Sequence, residues 1–169
     1  AANWRIDTED PNDNSGNTPI PLFSAVDAQN KPQPITAAPR ASTHPYGGSY
    51  VIIGTGKFFE YPDQTSTDMQ SMYGLWVRPG DKAPIVMSDL QKFGWSETVQ
   101  GPQTVRTLTG TGGFNWRTKR GWSVDLVANN QNAAGERVVA DPSVERGVLT
   151  MASFQPSTTN DPCAGGGTS

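Results

Sequence analysis

Apolar positions along the chain come in short runs, and the clearest of them keep a two-residue rhythm. Across residues 120–127, Trp122, Val124 and Leu126 fall on one face and Ser123 and Asp125 on the other, the period of a half-buried strand. Residues 49–55 are a β-branched run with Tyr50, and residues 71–77 carry Tyr73 and Trp76, so both read as strands. A short strand at 22–26 ends in the turn Asp27-Ala28-Gln29-Asn30, and one or two weaker strands are predicted across 94–108. Residues 35–43 can be extended, with Pro34 and Pro39 restricting them to an edge or a bulged strand. Residues 137–144 and 148–154 form a hairpin turning near Glu145-Arg146-Gly147, and Asn3-Trp4-Arg5-Ile6-Asp7 is an opening strand. One helical turn is expected at 88–92, with Ser88 as N-cap and Asp89 at the positive helix end. Residues 8–19, 63–69 and 129–135 read as loops.

Composition agrees with this pattern. The 169 residues are 34% hydrophobic and 17% charged, and they include 18 Gly and 14 Pro. Both of those residues destabilise helix interiors, so the chain is expected to be all-β with very little helix. A coiled coil and a helical bundle are excluded. No apolar run approaches the ~20 residues that a membrane-spanning helix needs. The net charge of −3 provides no electrostatic footprint for nucleic acid. One basic cluster, Arg117, Lys119 and Arg120, sits beside Trp116 and Trp122. It reads as a strand end held by cation–π and salt-bridge contacts rather than as a phosphate site.

Two internal echoes bear on architecture. Ile35-Thr36-Ala37-Ala38-Pro39 resembles Val138-Val139-Ala140-Asp141-Pro142, and Trp4-Arg5-Ile6-Asp7 resembles Trp122-Ser123-Val124-Asp125. Aromatic-bearing strands that recur in this way suggest propeller blades, although the spacing is about twice the usual ~40–50 residues. Segments 50–54, 73–76, 122–126 and 148–154 are then expected as inner strands of adjacent four-stranded sheets. A two-sheet sandwich is the alternative.

Residues capable of chemistry are sparse. His44 is the only histidine, and its place between Thr43 and Pro45 at a turn reads as a surface or loop-packing residue rather than a catalytic base. Residues 10–16 resemble a calcium loop briefly, yet the sixth position is Ser15 and the twelfth is Pro21. An EF-hand loop wants Gly and Glu there. Gly54-Thr55-Gly56 follows a strand, but neither a third Gly nor a helix follows it, so dinucleotide binding has no support. Glu60, Asp63 and Asp68 are scattered through loop sequence and single out no acid–base pair. The five Trp residues fit core or blade packing as well as a sugar platform. The lone Cys163 cannot form an internal disulfide. No catalytic, cofactor-binding or metal-binding residue is assigned. The ends, a strand opening at Asn3 and a Gly-rich tail after Cys163, suggest a domain of which residues 1–169 are the later blades, incomplete on both sides.

An ordered set of segments resembles the C-terminal β-propeller of the PilY/PilC-type tip adhesins of type IV pili. It comprises Asn3-Trp4-Arg5-Ile6-Asp7, Pro34-Ile35-Thr36-Ala37-Ala38-Pro39, and Val51-Ile52-Ile53-Gly54-Thr55-Gly56-Lys57-Phe58-Phe59-Glu60. Gln70-Ser71-Met72-Tyr73-Gly74-Leu75-Trp76 and Thr118-Lys119-Arg120-Gly121-Trp122-Ser123-Val124-Asp125-Leu126 follow. Gly135-Glu136-Arg137-Val138-Val139 and Asp161-Pro162-Cys163 complete it. The resemblance implies part of a modified seven-bladed β-propeller. It also implies a family calcium loop upstream of Ala1, so no cofactor is expected within the chain itself. In the family a Leu precedes the first Trp, where this chain has Asn3. No family site residue transfers to these positions, and Arg-Gly-Asp is absent.

The implied function is non-enzymatic: a pilus-tip or cell-surface adhesin and pilus biogenesis factor, extracytoplasmic, at the pilus tip or associated with the outer membrane. Its expected partners are the remaining blades, the minor pilins of the tip, and a host or abiotic surface, with no nucleic acid and no membrane span. Two rival classes stand beside it. A quinoprotein-like dehydrogenase would show convergent carboxylates, and a carbohydrate-binding module would show a row of exposed Trp rings.

Overall fold

The computed structural model describes residues 21–81, 83–110, 112–128 and 132–156. The expected strand at 3–7, the loop at 8–19, the calcium-like stretch at 10–16 and Cys163 lie outside the described residues. The all-β expectation holds. Eight strands are formed among the described residues: β1 (Arg40–Thr43), β2 (Ser49–Gly54), β3 (Ser71–Val77), β4 (Leu90–Gln100), β5 (Gln103–Thr109), β6 (Gly121–Ala128), β7 (Ser143–Glu145) and β8 (Val148–Thr150). Six of them make one sheet in the order β1-β2-β3-β6-β4-β5, and β7-β8 is a separate hairpin. Every pairing is antiparallel except β4 with β6, which run parallel.

This sheet corrects the expectation of adjacent four-stranded blades. Segments 50–54, 73–76 and 122–126 lie side by side, with Gly74 opposite Ile52 on one flank and Trp122 on the other. Segment 148–154 does not join them. Its first three residues are β8, and Phe154 bridges Arg137. Apolar alternation marks a strand and its buried face but carries no address for its neighbour. The address here is steric. A Cβ on Gly74 would collide with the Trp122 indole and the Tyr50 hydroxyl, and one on Gly121 would collide with the Gly74 carbonyl. Those two glycines let β3 and β6 approach.

One face of the sheet presents Val51, Ile53, Tyr73, Leu75 and Leu90 to Phe23, Ala25, Ile85 and Met87. The covering segments are pinned by the parallel bridge Phe23–Ile85. The expected helical turn at 88–92 is instead a short 3-10 turn at Met87–Asp89, and Leu90 already belongs to β4. Leu90 is buried in the core, and that burial fixes it in an extended conformation against β6.

The polar side of β6 does not face water. Tyr73 Oη donates to Gln33 Oε1 (2.5 Å), Gln33 Nε2 to Ser71 Oγ (3.0 Å), and Ser71 Oγ to Asp125 Oδ1 (2.8 Å). Lys92 closes the chain with an ion pair to Asp125 at 2.6 Å. The donors converge on the Asp125 carboxylate, from Tyr73 through Gln33 and Ser71 on one side and from Lys92 on the other, which satisfies groups that would be costly to bury alone. Burial pushes the Tyr73 hydroxyl up to about 12.

The sequence echo acquires a physical meaning. Segments 34–38 and 138–141 flank Gly54–Gly56: Gly56 N–H donates to the Pro34 carbonyl at 2.7 Å and Val138 N–H to the Thr55 carbonyl at 2.9 Å. The Ala38 N–H then donates to Asp141 Oδ1 at 2.7 Å, across 103 residues.

A candidate ligand cavity beside a clamped loop

The loop after Gly56 is built around one guanidinium. Arg137 is 3% exposed. It donates from Nε to the Gly135 carbonyl (2.8 Å), from Nη1 to Lys57 (2.9 Å) and Asp63 (2.8 Å), and from Nη2 to Ser66 (2.7 Å). Four carbonyl oxygens around one cation form a clamp that ties residues 57–66 to the segment before β7. Gly56, at φ 151°, leaves room for Arg137, because a Cβ there would lie 2.6 Å from the Arg137 Cβ. Burial pulls the Arg137 pKa down, with Asp63 and Asp68 opposing.

Asp63 completes the loop. Its Oδ2 accepts the Phe59 and Glu60 N–H groups at 2.9 and 3.0 Å, and its Oδ1 meets Lys57 Nζ at 3.2 Å. Those backbone donors hold the carboxyl below the usual carboxylate range. Lys57 also pairs with Glu60 at 3.0 Å. The 3-10 turn Tyr61–Gln64 is fixed from both ends, and its tip shows Phe59 (78%) and Tyr61 (84%) to solvent.

A cavity of about 320 Å³ opens between this loop and residues 31–34, with Asp63, Asp68, Gln70, Lys31 and Lys57 in its walls. Lys31 and Asp68 pair across it at 2.6 Å, an attraction that lowers the Asp68 pKa. Gln70 is 92% buried by its 8% exposure, and its Oε1 has no donor. A second, wider cleft lies where Arg106 bridges Glu97 (2.7 Å) and Glu136 (2.5 Å), with Ser153 donating to Glu136 at 2.6 Å.

Of the sequence candidates, Asp63 and Asp68 meet at the cavity, and Glu60 joins through Lys57. Gly54-Thr55-Gly56 serves packing instead: a Cβ on Gly54 would collide with Val138. His44 is a buried loop-packing residue, stacked on Trp76 at 4.3 Å and edge-on to Trp116 at 4.4 Å. Its Nδ1 accepts the Tyr46 N–H at 3.2 Å, while Nε2 has no partner. Burial lowers its pKa. The salt-bridge half of the basic-cluster reading holds, since Arg120 pairs with Asp81 at 3.1 Å and Lys119 Nζ donates to the Ser88 carbonyl. The cation–π half is corrected, because the cation over a Trp ring is Arg78, 4.7 Å from Trp76. Trp76 is buried and Trp95, Trp116 and Trp122 are half-buried, so no exposed Trp row occurs among the described residues. No group of three or more His, Cys, Asp or Glu among the described residues could hold a metal ion. Sequence reasoning missed Arg137 and Lys31; the only signal for Arg137 was its place within Gly135-Glu136-Arg137-Val138-Val139.

Comparison with known proteins follows the same lines. Residues 14–97 match the family model of the PilY1 beta-propeller domain. A type IV pilus biogenesis factor PilY1 homolog of Xylella fastidiosa is 32% identical over 159 residues, covering 92% of this chain and 10% of that protein. PilY1 of Pseudomonas aeruginosa strain PAO1, also called a type IV pilus biogenesis factor, is 31% identical over 165 residues, covering 86% of this chain and 14% of the relative. The crystal structure of the P. aeruginosa PilY1 C-terminal domain superposes with a TM-score of 0.69 at 28% identity, over 80% of this chain and 31% of that one. The chain thus spans between a tenth and a seventh of these curated relatives' length.

Proposed function

Because this chain belongs to the PilY1 β-propeller family, we propose that it works as part of a type IV pilus biogenesis factor, contributing a non-catalytic propeller segment to pilus assembly and surface attachment. The observation that carries this reading is the superposition on the PilY1 C-terminal domain over four-fifths of the chain. The clamped loop supports the attachment half. Guanidinium–carbonyl bonds and a buried carboxylate hold a loop whose tip displays Phe59 and Tyr61. Exposed aromatics on a rigid support suit recognition. The remaining blades of the same propeller would pack on the apolar hollow formed by Met72, Phe93, Trp95, Trp122, Leu149 and Met151, and the minor pilins of the tip are the assembly partners. The location is the bacterial surface, at the pilus. No helix among the described residues is long and apolar enough to cross a membrane.

The test is complementation in a type IV piliated bacterium lacking its own factor. The full-length protein carrying this chain should restore surface pili and twitching. The double variant Phe59→Ala, Tyr61→Ala should keep piliation and lose surface attachment. Failure of the parent to restore pili would overturn the assembly role, and undiminished attachment of the variant would overturn the recognition role of the loop.

A further inference from the structure

We propose that the cavity between residues 31–34 and the clamped loop binds a neutral sugar. This inference goes beyond the pilus reading and stands or falls independently of it. The volume, about 320 Å³, falls within the ~300–1,000 Å³ of small-molecule sites. Charge decides the class of ligand. Lys31 is paired with Asp68 at 2.6 Å, and Lys57 with Glu60 and Asp63 at 3.0 and 3.2 Å. The Arg137 guanidinium is taken up by four carbonyls. Each cation of the lining is thus already engaged and both lining carboxylates, Asp63 and Asp68, are ion-paired, which leaves no free charge of either sign to draw in a phosphate, a carboxylate or a divalent cation.

What the walls do offer is donors and acceptors side by side. Lys31 and Asp68 have side chains 57% and 47% exposed, so an ammonium and a carboxylate face the cavity at hydrogen-bond spacing. Two neighbouring hydroxyls meet such a pair well, because each both donates and accepts. A carboxylate or phosphate ligand could only accept. Pro32 and Pro34 supply an apolar wall against which the C–H face of a pyranose can lie. The Arg137 clamp fixes the loop in advance, so little ordering is needed on binding.

The experiment uses the full-length protein that carries this chain, with its near-ultraviolet circular dichroism reporting the aromatic packing. An array of neutral and charged glycans is followed by calorimetric titration of the neutral sugar bound best. Sodium glutamate, lysine and inorganic phosphate serve as charged probes. Binding of a neutral sugar is expected, weakened about tenfold or more in both Lys31→Met and Asp68→Asn, with the dichroism unchanged. Both side chains are half-exposed, so neither substitution threatens the fold. The proposal is overturned if no neutral sugar binds with Kd below about 10 mM while the dichroism stays native. It is equally overturned if only the charged probes bind, or if both variants bind the neutral sugar like the parent.

Discussion

Replacing Arg137 by alanine removes one side chain and four bonds. Each bond joins a charged donor to a carbonyl at 2.7 to 2.9 Å, and such bonds are individually worth about 1.5–3 kcal/mol. They are not additive, since they share a single guanidinium. The carbonyls of Lys57 and Ser66 lie close enough to solvent to recover water. The expected loss is about 3–5 kcal/mol, the range seen when one partner of a buried charged group is deleted. Arg137→Lys should recover less than half of it, because an ammonium lacks the planar fork that reaches carbonyls on several sides. Urea denaturation gives the total, and amide hydrogen exchange at residues 57–66 locates it. These amides should exchange near the local-opening limit in Arg137→Ala, while those of β3 keep protection relative to global stability. If Arg137→Ala stays within about 1 kcal/mol of the parent and loop protection is unchanged, the clamp does not hold the loop.

Gly74→Ala should destabilise by about 1–3 kcal/mol through overpacking, since its methyl would enter the space of Trp122 and Tyr50; a melting temperature equal to the parent's would refute the close approach of β3 and β6. Burial lifts Tyr73 from 10.0 to about 12, so its contribution is intact below pH 10 and is lost as pH rises from there toward 12. Stability should fall over that window by about 1.4 kcal/mol per pH unit at most, and denaturation of Tyr73→Phe should show a shallower dependence. The calcium expectation also becomes testable. With Ser15 and Pro21 at the sixth and twelfth positions of the loop-like stretch, calorimetry on this chain should find no tight calcium binding, and micromolar affinity would count against the reading.

Strands were legible wherever one face is apolar. The run at 71–77 matches β3 residue for residue, 49–55 overruns β2 by one residue, and 120–127 is offset from β6 by one residue at each end. The β4-β5 hairpin was faint because all of β5 is exposed, which leaves no burial to imprint a rhythm. Sheet order was hidden for another reason: Gly74 and Gly121 specify a neighbour through what they lack, and a missing side chain leaves no apolar signal. The cavity was half legible. Asp63 and Asp68 stood out as carboxylates, but Arg137 is held by backbone carbonyls, and any residue can supply those. Lys31 lies 37 positions from Asp68, a separation over which no local pattern operates.

The place of β6 has a consequence for how the molecule is made. In sequence it comes after the β4-β5 hairpin, yet in space it separates β3 from β4. As the chain is delivered from its N-terminal end, β1-β2-β3 forms one meander and β4-β5 another, each with an open margin. Neither can be completed until residues 121–128 arrive to join one antiparallel and the other parallel. This is a late, non-local step of the kind that slows folding and prolongs exposure to aggregation. A chain built this way gains from a holding chaperone that shields both margins until the keystone strand is in place.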